Sequence, residues 1–162
     1  MKLSDIKPGE GEEVVEEEVS VSLRTQTRRV ALQALYQWQV NRSDVLDIIK
    51  QFSEAGRLDA IDVALFQDIV NGVVRQSDTL DALYQPYLDR AVAMIDPVEK
   101  NILRMGVQEL QDKIEIPYRV VINEAVELAK RFGAEESHKY INGILDKVAL
   151  DLRTLERGQP KA

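Results

Sequence analysis

The chain has no cysteine and a single histidine, His138, among its 162 residues. Disulfides and thiolate metal sites are thereby excluded, a histidine-based metal cluster lacks a second ring, and the composition is compatible with a reducing compartment. No glycine-rich phosphate loop and no serine-nucleophile elbow occurs. Nowhere do about eighteen apolar residues follow one another, and the first residues do not run from a basic into an apolar stretch, so neither a membrane span nor a secretory leader is expected. The usual catalytic constellations cannot be assembled, and an enzyme is not expected. The best catalytic or metal candidate is His138 beside Glu135 and Glu136, since carboxylates can orient an imidazole or share a metal. Without further ligands this trio reads as surface structure, and no metal or cofactor is expected.

What is abundant is acid. The formal net charge is -7, but residues 1–22 hold seven acids (Asp5, Glu10, Glu12, Glu13, Glu16, Glu17, Glu18) against two lysines, and the rest of the chain carries only -2. With Pro8, Gly9 and Gly11 ahead of the run Glu12 to Glu18, residues 1–22 read as a disordered acidic extension. The length and the 44% hydrophobic content suit one domain, placed over 23–155, with a flexible tail over 156–162. Val19 to Leu23 alternates like a strand, but it has no pairing partner.

From Arg24 onward the apolar spacing is helical. A first run covers Arg24 to Asn41. Ser43 or Asp44 can cap a second helix bearing Val45, Ile48, Ile49 and Phe52, which ends near Gly56. Asp59 precedes a third with Leu65, Ile69, Gly72 and Val73 on one side, and Ser77 or Asp78 restarts a fourth with Leu80, Leu83, Tyr84 and Tyr87. Asp96, Pro97 and Glu99 make a strong start for a fifth, whose stripe is Leu103, Gly106, Val107, Leu110 and Ile114. Pro117 opens a sixth with Val121, Ala125, Leu128 and Phe132, closed by Gly133. Ile141, Ile144, Leu145, Val148 and Leu152 mark the last. About seven helical segments with short loops predict an all-α bundle. Asn71-Gly72 and Asn142-Gly143, hairpin signals between strands, lie inside helical periodicity and are read as helix. An internal glycine costs a helix about 1 kcal/mol relative to alanine, so Gly72, Gly106 and Gly143 are expected at close helix crossings.

Against this acidic background, Arg24, Arg28 and Arg29 form a basic end on the first helix. Arg24 and Arg28 are one turn apart on one face, while Leu32, Leu35 and Tyr36 continue toward the core. The cluster predicts a polyanionic partner, with the charged end exposed. Aromatic rings on which single-stranded bases could stack are Tyr36, two turns further on, and Tyr140, after Lys139 in the last helix.

These residues fall in segments that resemble the NusB family of transcription antitermination and termination factors. The matching segments are Arg28-Arg29-Val-Ala-Leu-Gln-Ala-Leu-Tyr36-Gln-Trp38, Pro86-Tyr87-Leu88, Val98-Glu99-Lys100 with Leu103-Arg104, and above all Pro117 to Lys147, with Asn123-Glu124, Phe132-Gly133 and His138-Lys139-Tyr140-Ile-Asn142-Gly143. The resemblance covers residues 24–152. It implies an all-helical RNA-binding protein of two subdomains that pairs with the small-subunit ribosomal protein NusE. Together they would clamp the single-stranded boxA element of nascent RNA. Other Nus factors and RNA polymerase would be reached indirectly, in antitermination during ribosomal RNA synthesis in the cytoplasm, and the free protein would be a monomer or a homodimer.

The resemblance also implies site residues. Arg24, Arg28 and Arg29 would contact RNA, with Gln33 and Tyr36 following on the same helix; Glu136, Lys139 and Tyr140 would form a second RNA-contacting region, and Glu99 would meet RNA or the ribosomal partner. The chain departs from the family's richer arginine motif, since Thr25, Gln26 and Thr27 stand where basic residues are common. Tyr140 stands where phenylalanine is common and keeps a stacking face. Three arginines predict a log-log salt slope of only about -2 from this cluster, at about -0.7 per neutralised phosphate, so the ribosomal partner is expected to add affinity. A similar helical module precedes the nucleotide-binding domain of certain ribosomal RNA cytosine methyltransferases, a domain not expected here, and a protein-interaction bundle without an RNA role is the other alternative.

The run Glu12 to Glu18 is tethered a few residues from Arg24, within flexible reach although screening acts over about 8 Å at physiological salt. It is expected to compete with RNA for the arginines. Deleting residues 1–22 should then tighten RNA binding in a titration at fixed salt, and an unchanged affinity would contradict the competition.

Overall fold

Four side-chain caps set where helices begin. Ser22 Oγ accepts the Thr25 N–H at 3.1 Å, Asp44 the Leu46 N–H at 2.9 Å, Asp62 the Leu65 N–H at 3.0 Å, and Asp96 the N–H groups of Val98 and Glu99 at 2.8 and 3.0 Å. Each satisfies amides that a helix cannot pair internally. The computed structural model describes residues 21–156. Among them are six α-helices and no strand: α1 (Leu23–Asn41), α2 (Val45–Glu54), α3 (Val63–Tyr84), α4 (Pro97–Asp112), α5 (Tyr118–Phe132) and α6 (Ser137–Leu152). Two short 3-10 turns, Gln85–Tyr87 and Val92–Met94, bridge α3 to α4. No described helix is long and apolar enough to cross a membrane.

The count is six and not the expected seven because the third and fourth predicted segments run on as one element, α3. Two helical stretches meet there at a kink: Gln76 leaves helical geometry at φ -110° and ψ 15°, and the helix resumes at Ser77, where the sequence places the restart. The third helix is capped by Asp62, not Asp59. Ile114 lies beyond the end of α4 and is 73% exposed, so it leaves the predicted stripe. The strand-like alternation fails at Leu23, which opens α1, and residues 19 and 20, like the rest of the acidic run and residues 157–162, lie outside the described residues. Glu156, assigned to the tail, accepts the Tyr118 N–H at 3.0 Å and an Arg153 Nη1–H at 2.6 Å.

Helices α1, α2 and α3 pack on one another, as do α4, α5 and α6, and α4 joins the groups by lying against α1 and α3. One apolar core runs through both, from Leu35, Phe66 and Val70 to Leu103, Ile141 and Leu145. Two glycines lie at close helix crossings: a Cβ on Gly106 would meet Leu145 Cδ1 at 2.8 Å, and one on Gly72 would overlap the Gln108 side chain. Gly143, expected at a third crossing, has nothing within 4 Å of its Cβ position.

Helix α4 is buried along its whole middle, from Asn101 to Leu110, although four of those residues are polar or charged. Each is answered by another part of the chain. Arg104 donates to both oxygens of Asp81 at 2.8 Å, and Asn101 to Gln39 at 2.7 Å. Gln108 donates through Nε2 to the Asp68 carbonyl at 3.3 Å, its buried Oε1 having no hydrogen-bond partner. Glu109 accepts two bonds from Arg28, Nε at 2.7 Å and Nη2 at 2.8 Å, while Arg28 Nη1 reaches Glu124 at 3.0 Å. At the C-terminal end of α4, buried Arg153 donates to the carbonyls of Glu109 and Leu110 in the last turn and of Lys113 and Ile116 in the connection beyond it, tying the helix end to the loop that follows.

Removing one partner of a buried ion pair leaves an uncompensated charge and costs about 3–5 kcal/mol. Arg28→Met should therefore lower the unfolding free energy by about 3 kcal/mol in urea at neutral pH, and adding Glu109→Leu should recover a large part of it. A loss well under about 1 kcal/mol would show that the pair contributes no such constraint.

Candidate nucleic-acid interface

The start of α1 divides its polar residues between surface and interior. Arg24 is exposed and Arg29 half-buried, and Arg24 lines a cleft of about 60 Å³ with Asp68, Gln108, Lys113 and Glu115 among its other walls. Arg28 does not share this exposure. It is 4% accessible and sits under the surface between Glu109 of α4 and Glu124 of α5. Burial works against its charge, but the hydrogen bonds and charge of Glu109, followed by Glu124, more than offset this and raise its pKa above the ordinary guanidinium value. The expectation that Arg24 and Arg28 together present cations at an exposed helix end is corrected: α1 turns the Arg28 side of its face inward.

The neighbouring threonines explain the thin arginine motif. Thr25 Oγ1 donates to Glu124 at 2.7 Å. Thr27 is fully buried; its hydroxyl donates to the Leu23 carbonyl at 2.7 Å and accepts the Asp62 N–H at 3.0 Å. Short hydroxyls at these two positions tie α1 to α5 and to the start of α3, and a lysine or arginine at Thr27 would have to bury its charge.

One and two turns further along α1, Gln33 and Tyr36 line two grooves. One, of about 280 Å³, is completed by Leu32, Val98 and Phe132, so it joins α1 to the start of α4 and the end of α5. The other, of about 450 Å³, adds Gln37, Val40, Asn41, Phe52 and Arg57. Tyr36 is 42% exposed and, with Gln33, forms the wall common to both. Arg57 lies over the Phe52 ring at 4.7 Å and donates to Gln33.

Next to Val98, Glu99 is 8% exposed at the start of α4. Burial, followed by the charge of Asp96, raises its pKa above the usual carboxylate range, while Arg90 pulls the other way without forming a salt bridge.

The start of α6 holds the second predicted group. Glu136, at φ +72°, precedes the first turn and bonds Lys139 at 2.7 Å, both exposed. Tyr140 is half-buried, and its hydroxyl donates to Asp89 Oδ1 at 2.7 Å. Arg90 lies over the Tyr140 ring at 4.8 Å from its centroid. Neither Asp89 nor Arg90 stands out in the sequence, since they lie in the loop between the two 3-10 turns with no periodic pattern. The only signal was their place just after Pro86-Tyr87-Leu88. Phe132 falls in the apolar stripe of the sixth predicted helix, and Arg57 follows Gly56 with no pattern to mark it. Among the described residues no group of three His, Asp or Glu side chains is placed to hold a metal.

The chain was compared with known proteins. The model of the NusB family matches residues 25–150. The transcription antitermination protein NusB of Hydrogenovibrio crunogenus is 76% identical over 159 residues, covering 98% of this chain and 99% of that protein. The NusB of Alteromonas mediterranea is 45% identical, over 86% of this chain and 99% of its own. Among solved structures, T. maritima NusB superposes with a TM-score of 0.67 at 32% identity, covering 78% of this chain and 91% of its own. A crystal structure of the antitermination factors NusB and NusE in complex with dsRNA has a chain that superposes with a TM-score of 0.69 at 25% identity, over 80% of this chain and 97% of its own. On a family match across most of its length and a near-full-length relative at 76% identity, this chain belongs to the NusB family.

Proposed function

We propose that the protein is a non-enzymatic antitermination factor that binds boxA-type single-stranded RNA jointly with the ribosomal protein NusE, in the cytoplasm, and so supports processive transcription of ribosomal RNA operons. The observation that carries the proposal is the pair of ring-bearing surfaces, Gln33–Tyr36 open on α1 and Lys139–Tyr140 on α6 with Arg90 over its ring, on a fold whose solved relative is complexed with NusE and RNA. Arg24, Arg29 and Lys139 supply cations for phosphates, and Tyr36 and Tyr140 supply faces for bases. Gln33 and Glu136 border them as polar contacts. Arg28 acts through position: held by Glu109 and Glu124, it fixes the α1 turn that carries Arg24 and Arg29.

Glu99 suits the protein partner. A buried carboxylate without a salt-bridged cation gains from a basic group brought by another chain, and NusE is that chain here. RNA polymerase and the other Nus factors enter through the assembled complex.

With Arg28 withdrawn from solvent, Arg24 and Arg29 alone predict a salt slope of about -1.4 from the α1 cluster. RNA binding by the free protein is therefore weak, and titration across a salt series should show boxA RNA binding the heterodimer better than either protein. Because the solved relative holds duplex RNA, the titration includes a duplex of the same sequence; equal affinities for heterodimer and components, or a preference for duplex, would count against the proposal.

Glu99 gives a separate pH signature. Its folded pKa is raised, so the native state holds the proton more tightly than the unfolded chain, and stability declines as pH rises from the ordinary carboxyl value of 4.5 through the raised one. Glu99→Gln should flatten that decline, leave the free protein at least as stable at pH 7, and weaken NusE binding on the order of tenfold, the scale of a lost charge-assisted bond. Undiminished NusE affinity in calorimetry would remove Glu99 from the interface.

A further inference from the structure

Around Tyr140 three groups form a closed set that the assignments above leave unexplained. The Tyr140 hydroxyl donates to Asp89 Oδ1 at 2.7 Å and accepts the Asp89 N–H at 3.2 Å, which pins the ring by its far end. Asp89 also accepts Arg90 Nε at 2.7 Å and Nη2 at 3.3 Å. The same guanidinium covers the ring, 4.8 Å from its centroid. The proposed stacking face is therefore occupied in the free protein, and its occupant is an exposed side chain, not the core: the Arg90 and Asp89 side chains are 46% and 63% accessible.

We infer that Arg90 is an RNA-contacting residue held in waiting by Asp89, which yields the Tyr140 ring to a base and carries its own charge to a neighbouring phosphate or to the outer face of that base. The inference rests on the RNA-binding role proposed above and adds to it a residue and an order of events.

The relative strengths favour this exchange. An exposed ion pair between adjacent residues is among the weakest of electrostatic contacts, and an exposed cation over a ring is little stronger. A base stacked on tyrosine gains more than either, and a guanidinium released beside RNA meets phosphates whose bound counterions it displaces. Tyr140 need not move, because its hydroxyl is anchored independently of Arg90. Asp89 is the restraint: the Arg90 guanidinium and then the Tyr140 hydroxyl hold its carboxyl down to about 2, so it stays ionised at any pH where the protein works. Without that restraint an aspartate beside a polyanion would only repel it.

The test is titration of the full chain, alone and with NusE, against a fluorescently labelled single-stranded boxA RNA over a salt series, with circular dichroism confirming that each variant is folded. Arg90→Ala is expected to weaken binding on the order of tenfold and to make the salt slope shallower by about 0.7. Asp89→Asn should tighten binding by more than Asp47→Asn, an equal charge change on the exposed side of α2, and that gain should vanish when Arg90→Ala is added. Tyr140→Phe, which keeps the ring and releases the anchor, should bind far better than Tyr140→Ala. If Arg90→Ala changes neither affinity nor slope while Arg24→Ala weakens binding, the inference fails and the RNA-binding role stands. If Asp89→Asn gains no more than Asp47→Asn, Asp89 is no restraint and the inference fails. If the unaltered chain binds no RNA with or without NusE, the proposed function falls and the inference with it.

Discussion

Glu109 and Arg104 are carried into the interior by a helix with no exposed face over ten residues, and each must find its opposite charge on another helix. The rest of the structure follows from that constraint. Arg104 takes Asp81 from α3, Glu109 takes Arg28 from α1, and Arg28 in turn takes Glu124 from α5. Apolar burial is non-directional and specifies register less sharply than paired charges do. Paired charges do not slide: a displacement of a few ångströms leaves each in a medium of low dielectric without its partner. Polar pairing thus sets the register among α1, α3, α4 and α5, with Arg153 closing the end of α4.

That register decides what the surface can offer. Because Arg28 is drawn inward and Thr25 and Thr27 are engaged in helix contacts, the first turns of α1 present fewer cations than their sequence suggests. The side chains that remain accessible are distributed, with Arg24 near α3, Tyr36 over the groove toward Phe132, and Lys139 and Tyr140 at the start of α6. A dispersed set of weak contacts fits the proposed sharing of RNA with a second protein, in which both surfaces together would build the affinity.

The all-α architecture was legible wherever a local rule was decisive. Asp96 was identified as a cap by its place before a periodic run and Pro97 by its fit to a first turn, while Asp44 was one of two candidate caps with Ser43. Gly106 was read as a close crossing from the rarity of glycine in helices. What escaped required knowledge of partners far along the chain. The restart at Ser77 or Asp78 corresponds to a real break at Gln76, but the two stretches meet at a kink with no loop between them and so form one element. Ile114 fits the period of α4, but the helix has ended. Gly143 fits the same rule as Gly106 yet faces open space. Arg28 is the instructive case: three arginines in six residues read as one surface cluster, and only Glu109 and Glu124, 81 and 96 residues away, show that one belongs to the fold. Asp89 and Arg90 were invisible for the converse reason, being loop residues whose role depends on a ring 51 residues later.

We propose that Arg28 serves the register of the helices and not the nucleic acid. The decisive measurement is the salt dependence of RNA binding by the Arg28→Met, Glu109→Leu double variant, in which an apolar pair replaces the charge pair and keeps α1 against α4. If Arg28 never meets a phosphate, the log-log slope equals that of the unaltered chain. A slope shallower by about 0.7 would place Arg28 on the RNA and contradict the account.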